Sequence, residues 1–244
     1  MKWSKAMIIL PAVDIIDGKA VRLLKGDYNE KTVYGDDPLE FAEKFKKAGA
    51  NYIHIVDLEG AKSGGTPNFG TIKRIIEKSG LFCEIGGGIR DIETIEKYIN
   101  AGASRVILGT AAAEKPEFLK EAVRKFGEKI AVGADLKDGY IAVKGWTRKT
   151  DITAKKFFTD LSRIGVKTVI CTDISKDGAM QGTNVGLYKE LSAEFDIDII
   201  ASGGVSSLED VKALKDLGVC GAIIGKAYYS GAIKIEDALE VARC

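Results

Sequence analysis

The chain has 244 residues, 45% hydrophobic and 29% charged, which suits a soluble protein with one large core. Net charge is +1 and Lys and Arg are scattered among Asp and Glu, so neither a basic nucleic-acid footprint nor an acidic tail is present. No apolar run reaches the roughly 18–20 residues needed to span a bilayer, so neither a membrane nor a nucleic-acid partner is expected.

The opening segment, MKWSKAMIILPAVD, superficially resembles a secretory signal. Its apolar stretch instead runs into Pro11 and Asp14 without a small-residue cleavage site, so it reads as a first strand behind a six-residue extension. A cytoplasmic protein is expected. Strands are then predicted at 7–13, 52–56, 82–85, 106–108, 130–134, 168–171, 198–201 and 222–224. They are rich in Ile and Val and lack polar alternation, which marks strands buried on both faces. Helical patterns fall between and after them, at 39–48, 69–79, 92–100, 118–126, 154–164, 187–195, 208–217 and 235–243. Asp37-Pro38, Asp91 and Ser206-Ser207 supply start signals; Gly49, Gly80, Gly102, Gly165 and Gly218 supply stops. Eight strands alternating with eight helices in one domain, 1–244, predict an α/β (β/α)8 TIM barrel; a doubly wound open sheet is the structural alternative.

The chain repeats itself. GGGIRDIETIEKYINAGASRVILGTA from Gly86 matches SGGVSSLEDVKALKDLGVCGAIIGKA from Ser202 without a gap, an offset of 202 − 86 = 116. Asp57 and Asp173 share it (173 − 57 = 116), while Asp14 and Asp135 stand 121 apart. The unit is four βα modules, and two copies make eight.

In each half the third strand ends in glycines, Gly86-Gly87-Gly88 and Gly203-Gly204, and the fourth in Gly109-Thr110 and Gly225-Lys226. Glycine lets a ligand approach the main chain, and each loop is expected to lead into a helix whose first N–H groups are free to hold an anion. The bland alternative is a set of tight turns. These loops lie opposite one another across a barrel, so the expected small-molecule ligand is long, with a phosphate at each end.

Asp14 and Asp135 follow the first and fifth strands, where barrels carry catalytic groups, and can divide acid and base roles if their environments differ. Asp177 and Gly178 follow the sixth strand in CTDISKDGAMQG, with Thr172 at the strand end. Arg22 and Lys25 lie in the loop after the first strand, within reach of a phosphate or of solvent. Trp146 lies in a long polar excursion after the fifth, where it stacks on a flat ligand or packs under the loop. His54, the sole histidine, is expected on the strand face opposite Asp57, as a satisfied structural group; Asp57 reads equally as structural or functional. Cys83, Cys171, Cys220 and Cys244 lack C-x-x-C spacing and read as buried free thiols, not as a metal or redox site.

ILPAVDIIDGKAVRLLKGDY, EIGGGIRD, VILGTAA, ADLKDGYIAVKGW, CTDISKDGAMQGTN, ASGGVSS and AIIGKA occur in this order over nearly the whole chain. Together they resemble the phosphoribosylformimino-5-aminoimidazole carboxamide ribotide isomerases of histidine biosynthesis. The resemblance implies an Amadori rearrangement of a bis-phosphorylated aminoaldose to an aminoketose, without metal or organic cofactor. It implies Asp14 as base, Asp135 or Asp177 as acid, Thr172 as assistant, Trp146 stacked on the imidazole carboxamide, and Arg22 on the ligand. A monomer is expected. Cyclase subunits of imidazole glycerol phosphate synthase share both rim aspartates but usually carry Cys where this chain has Ala12. Bifunctional isomerases that also take phosphoribosyl anthranilate usually carry Arg-Gly-Arg-Gly-Trp, where this chain has Ala142-Val143-Lys144-Gly145-Trp146. A catalytically silent bis-phosphate binder is the non-enzyme alternative, against which both rim aspartates stand.

Overall fold

Ile- and Val-rich runs, each followed by an amphipathic helix with its own caps, build the architecture. The computed structural model describes residues 6–24 and 26–243. The first five residues of the N-terminal extension, Lys25 and Cys244 lie outside the described residues. The first half runs β1 (Ile8–Ile16), β2 (Lys19–Leu24), β3 (Asp27–Gly35), α1 (Pro38–Lys47), β4 (Tyr52–Asp57), α2 (Leu58–Ser63), α3 (Phe69–Ser79), β5 (Phe82–Gly86), α4 (Ile92–Asn100), β6 (Arg105–Leu108), α5 (Thr110–Glu114) and α6 (Pro116–Phe126). The second half runs β7 (Ile130–Lys137), β8 (Tyr140–Val143), β9 (Arg148–Thr153), α7 (Ala154–Ile164), β10 (Thr168–Asp173), α8 (Val185–Glu194), β11 (Asp198–Ser202), α9 (Leu208–Leu217), β12 (Gly221–Ile224), α10 (Lys226–Tyr229) and α11 (Ile235–Ala242).

Eight strands, β1, β4, β5, β6, β7, β10, β11 and β12, pair in parallel in that order. β12 then pairs with β1 through Ile8↔Gly221 and its neighbours, which closes the ring and excludes the open sheet. All eight predicted helices are present with small shifts at their ends. Their stops and starts follow local chemistry. Asp37 accepts from Leu39 N–H ahead of Pro38 in α1, and Thr153 accepts from Lys156 N–H in α7. Gly80, Gly165 and Gly218 close their helices in the left-handed region, at φ 62°, 91° and 75°.

Strand alternation sends side chains to two cores. Val13, Ile55, Val106, Val132 and Val169 join the helices in the outer core. Leu10, Ala12, Ile107, Ala131, Ile170, Ile200 and Ile223 fill the barrel itself. Each large aliphatic side chain buried in this way contributes about 1.5–3 kcal/mol. Cys83 and Cys171 are buried free thiols, and Cys220 is half-buried, not buried; burial pushes the Cys83 thiol up to about 11 and raises Cys171 as well.

Two segments read as loops are antiparallel arms. β2 pairs with β1 and β3, and β8 pairs with β7 and β9, so each half raises a hairpin from the rim of its first strand. The turns that start them carry Asp17 at φ 57° and Asp138 at φ 53°, each followed by a glycine. In each arm one strand, β3 or β9, is polar and largely exposed, while its apolar partner, β2 or β8, is only four to six residues long and set among polar residues, which is why both arms resemble loops in sequence. Three short helices, α2, α5 and α10, were likewise too brief to show a period.

Candidate active site

A cavity of about 250 Å³ opens at the C-terminal mouth of the barrel. Every predicted site residue lines it: Asp14, Arg22, the glycines of both loop sets, Thr110, Asp135, Trp146, Thr172, Asp177, Gly178 and Lys226.

β1 carries Asp14 to the rim, and the β1–β2 turn brings Arg22 back beside it. The two form an ion pair of 2.7 Å with side chains only 13% and 12% exposed. Burial opposes the Arg22 charge, but Asp14 and Asp177 outweigh it and raise its pKa. Across the mouth, β7 carries Asp135 and β10 carries Thr172 in register beside it. Burial drives the Asp135 carboxyl above the ordinary carboxylate range. Hydrogen bonds donated by Trp146 and Thr172, and the charge of His54, oppose that shift. Asp177, in the turn after β10, is also raised by burial; Arg22 and Lys226 oppose the shift, while Asp14 and Asp135 add to it. The site therefore holds one carboxylate in an ion pair and two carboxyls biased towards their protonated form. That division suits base and acid work at one substrate.

The glycine loops show two separate demands. Gly87 and Gly88 have φ of 112° and 74°, and Gly203 and Gly204 both 85°. A Cβ at Gly88 would stand 2.0 Å from the Gly60 carbonyl, and one at Gly204 2.4 Å from the Gly182 carbonyl. These glycines are required for loop-against-loop packing, whatever ligand they also meet. Gly109 differs: its φ is −93° and an added Cβ would meet nothing within 4 Å.

The expected free helix starts are also reassigned. Asp91 caps α4 by accepting from Thr94 N–H, and Ser207 with Asp210 forms a capping box on α9. Of the four helices that follow the glycine loops, the two without a side-chain cap are α5 and α10, after Gly109 and Gly225. Both glycines take the same unusual backbone, φ −93° ψ −102° and φ −108° ψ −102°. Lys226 at the head of α10 donates to the Gly178 carbonyl at 2.7 Å, tying the second loop set to the turn that bears Asp177.

Asp57 is structural. It caps α2 at Gly60 N–H (2.9 Å) and accepts from Asn68 N–H (3.1 Å) and Asn68 Nδ2 (2.8 Å). Asp173 repeats the device with Ser175 and Asn184. His54 lies on the opposite face from Asp57 and lines the cavity, with Nδ1 2.6 Å from Glu84 Oε1. Arg90 and Tyr28 also line the cavity and were not singled out from sequence. Arg90 directly follows GGGI, a position that puts a cation beside a candidate anion loop. The arms meet over the mouth: the Trp146 ring, on a residue at φ 69°, lies against Gly26 of the first arm.

Among the described residues no three His, Cys, Asp or Glu side chains are grouped to hold a metal ion, and no helix is long and apolar enough to cross a membrane. The family model described as "Histidine biosynthesis protein" matches residues 8–234. The chain is 51% identical over 232 residues to a protein of Lactococcus lactis subsp. cremoris (strain SK11), covering 94% of each chain. It is 47% identical over 233 residues to one of Ruminiclostridium cellulolyticum, covering 96% of this chain and 99% of the relative. With one of Thermoanaerobacter pseudethanolicus it shares 44% over 237 residues, 97% of this chain and all of the relative. Each relative is named a 1-(5-phosphoribosyl)-5-((5-phosphoribosylamino)methylideneamino)imidazole-4-carboxamide isomerase.

Proposed function

The chain belongs to the histidine biosynthesis protein family, and from that premise we propose how its barrel mouth performs the family's isomerisation. The protein is an aldose–ketose isomerase acting on the ribotide named by its relatives, a small phosphorylated substrate. The substrate lies across the mouth with one phosphate at each loop set. Gly86–Gly88, Gly109, Thr110 and Arg90 hold one end. Gly178, Gly203, Gly204, Gly225 and Lys226 hold the other. Trp146 stacks on the imidazole carboxamide, and Arg22 orients both Asp14 and the ligand.

The chemistry is internal, so the substrate is its own oxidant and reductant. A protonated carboxyl, Asp135 or Asp177, donates to the ring oxygen; the C1–O bond breaks and the nitrogen lone pair forms an iminium. Asp14 removes the proton from C2, and that electron pair forms the enolamine. Loss of the enol proton and protonation at C1 then give the aminoketose, with no net proton consumed. Thr172 keeps Asp135 in place through its hydrogen bond.

The observation that carries this reading is the Asp14–Arg22 pair and two half-buried, upward-shifted carboxyls lining one cavity with the matched loop sets. The deciding measurement is ribotide turnover by the wild type and by Asp14→Asn. An active Asp14→Asn protein removes Asp14 as base. A wild type that binds the ribotide without converting it removes the enzyme. The enzyme is expected to act as a cytoplasmic monomer, and sedimentation of the purified chain tests the latter.

A further inference from the structure

Inside the barrel wall a polar chain crosses three adjacent strands. Arg105 of β6 donates from Nη1 to Glu84 Oε2 of β5 at 3.2 Å, and Glu84 Oε1 lies 2.6 Å from Nδ1 of His54 on β4. Strand register makes the contacts neighbour to neighbour: His54↔Glu84 and Glu84↔Arg105. Glu84 is 0% exposed, His54 and Arg105 12% and 16%. Arg105 also sits over the Phe82 ring at 5.2 Å, and its Nε is buried without a partner.

A buried charge chain of this kind is weak evidence for stability, because desolvation offsets much of its attraction. The second half-barrel shows that the fold does without it. At the offset of 116, His54, Glu84 and Arg105 correspond to Ile170, Ile200 and Gly221 (54 + 116, 84 + 116, 105 + 116). Those residues occupy the same registers, Ile170↔Ile200 and Ile200↔Gly221. Equivalent wall positions are thus filled by aliphatic packing in one half and by an ionic chain in the other.

The ionic chain leads to the cavity. Its last member, His54, lines the mouth while Glu84 holds Nδ1. A carboxylate accepts, so Nδ1 carries the proton and Nε2 is left to face a ligand. No hydrogen bond engages Nε2 among the described residues. His54 is close enough for its charge to act on Asp135.

We propose that His54 is a further substrate-contacting residue, whose Nε2 hydrogen-bonds the sugar hydroxyls of the reacting ribose beside Asp135, and that Glu84 and Arg105 are its positioning residues. This rests on the isomerase reading above.

His54 is the sole histidine, so protein labelled with 15N-histidine gives one pair of ring nitrogens. In the free enzyme the Nδ1 resonance is expected to be protonated, and ribotide is expected to move the Nε2 resonance. Glu84→Gln is expected to lower kcat by roughly 10–100-fold, the loss of one charge-assisted hydrogen bond, with KM changed less than about threefold. Glu84→Ile combined with Arg105→Gly installs the second half's residues. It is expected to fold with a Tm no lower than the wild type, yet show the same kcat loss. Wild-type kcat in either variant, or an unprotonated Nδ1, overturns the proposal. A wild type that leaves ribotide unconverted overturns the isomerase reading, whereas conversion with an unmoved Nε2 overturns only the role of His54.

Discussion

The two half-barrels share loops and differ in their walls. Both raise an arm from the first strand, staple the second βα loop with an Asp–Asn pair, and end the third and fourth strands in glycines. Inside, the first half carries His54, Glu84 and Arg105 where the second carries Ile170, Ile200 and Gly221. At the rim, Asp14 is paired with Arg22, whereas its counterpart Asp135 accepts from two neutral donors, Trp146 and Thr172. On the proposed reading, repetition supplies the two anchoring ends, and departure from repetition supplies the unlike surroundings that an acid and a base need.

The sharpest way to break this comparison is at the paired aspartate. Asp14→Asn is expected to lower kcat by about 10³-fold, within the span of general-base contributions. Steady-state turnover of ribotide reads it, and a loss confined to KM would deny the asymmetry.

The next effect sharpens the opposite side. Asp177→Asn is expected to lower kcat by roughly 10²-fold, and Asp135→Asn likewise, each more than it raises KM. Both acids have raised folded-state pKa values, from burial first. Their protonated forms are lost as pH rises through those values, so kcat falls on the alkaline side in a pH–rate profile. The linkage has the same sign: the folded state binds more protons, so their contribution to stability is present at low pH and is lost as pH rises. Asp177→Asn should therefore raise Tm at neutral pH, by roughly 2–4 °C for a gain of about 1 kcal/mol, and the gain should vanish in acid. A variant no more stable than the wild type at neutral pH would contradict the burial cost.

A smaller effect tests what the halves share. Gly88→Ala and Gly204→Ala each place a Cβ against a neighbouring carbonyl, and the closer approach is at Gly88. Each is expected to destabilise by about 2 kcal/mol or more, Gly88→Ala the worse. Urea melts would show it, and equal, small losses would refute the loop-packing explanation. The smallest change separates ligand from fold. Gly109→Ala places its Cβ where nothing stands within 4 Å. It is expected to raise KM only severalfold, by crowding the phosphate. An unchanged KM would remove Gly109 from the anion site.

Much of this was legible because the signals were local. Asp14 and Asp135 each end an apolar run and so had to reach the rim. The repeat at 116 pairs Gly87 with Gly203. Even the missing group left a trace, since the same alignment sets His54, Glu84 and Arg105 against Ile170, Ile200 and Gly221. That trace was readable only as charges in buried strands; their contact was not. The arms escape a sequence reading because the short apolar runs of β2 and β8 are set among polar, exposed residues of the kind loops carry, and Arg90 because a cation after glycines is common in any turn.

By itself the amino-acid sequence determined the barrel, its twofold repetition, the glycine loops and the rim carboxylates, since period, caps and strand ends depend on residues close in the chain. Tertiary structure alone decided that Arg22 returns to Asp14 and that Trp146 reaches Asp135. It decided too that α5 and α10, not α4 and α9, have uncapped starts, and that Arg105, Glu84 and His54 join into one chain. The reason is geometric. Those contacts depend on strand register and barrel closure, which set the distance between residues that are far apart in sequence.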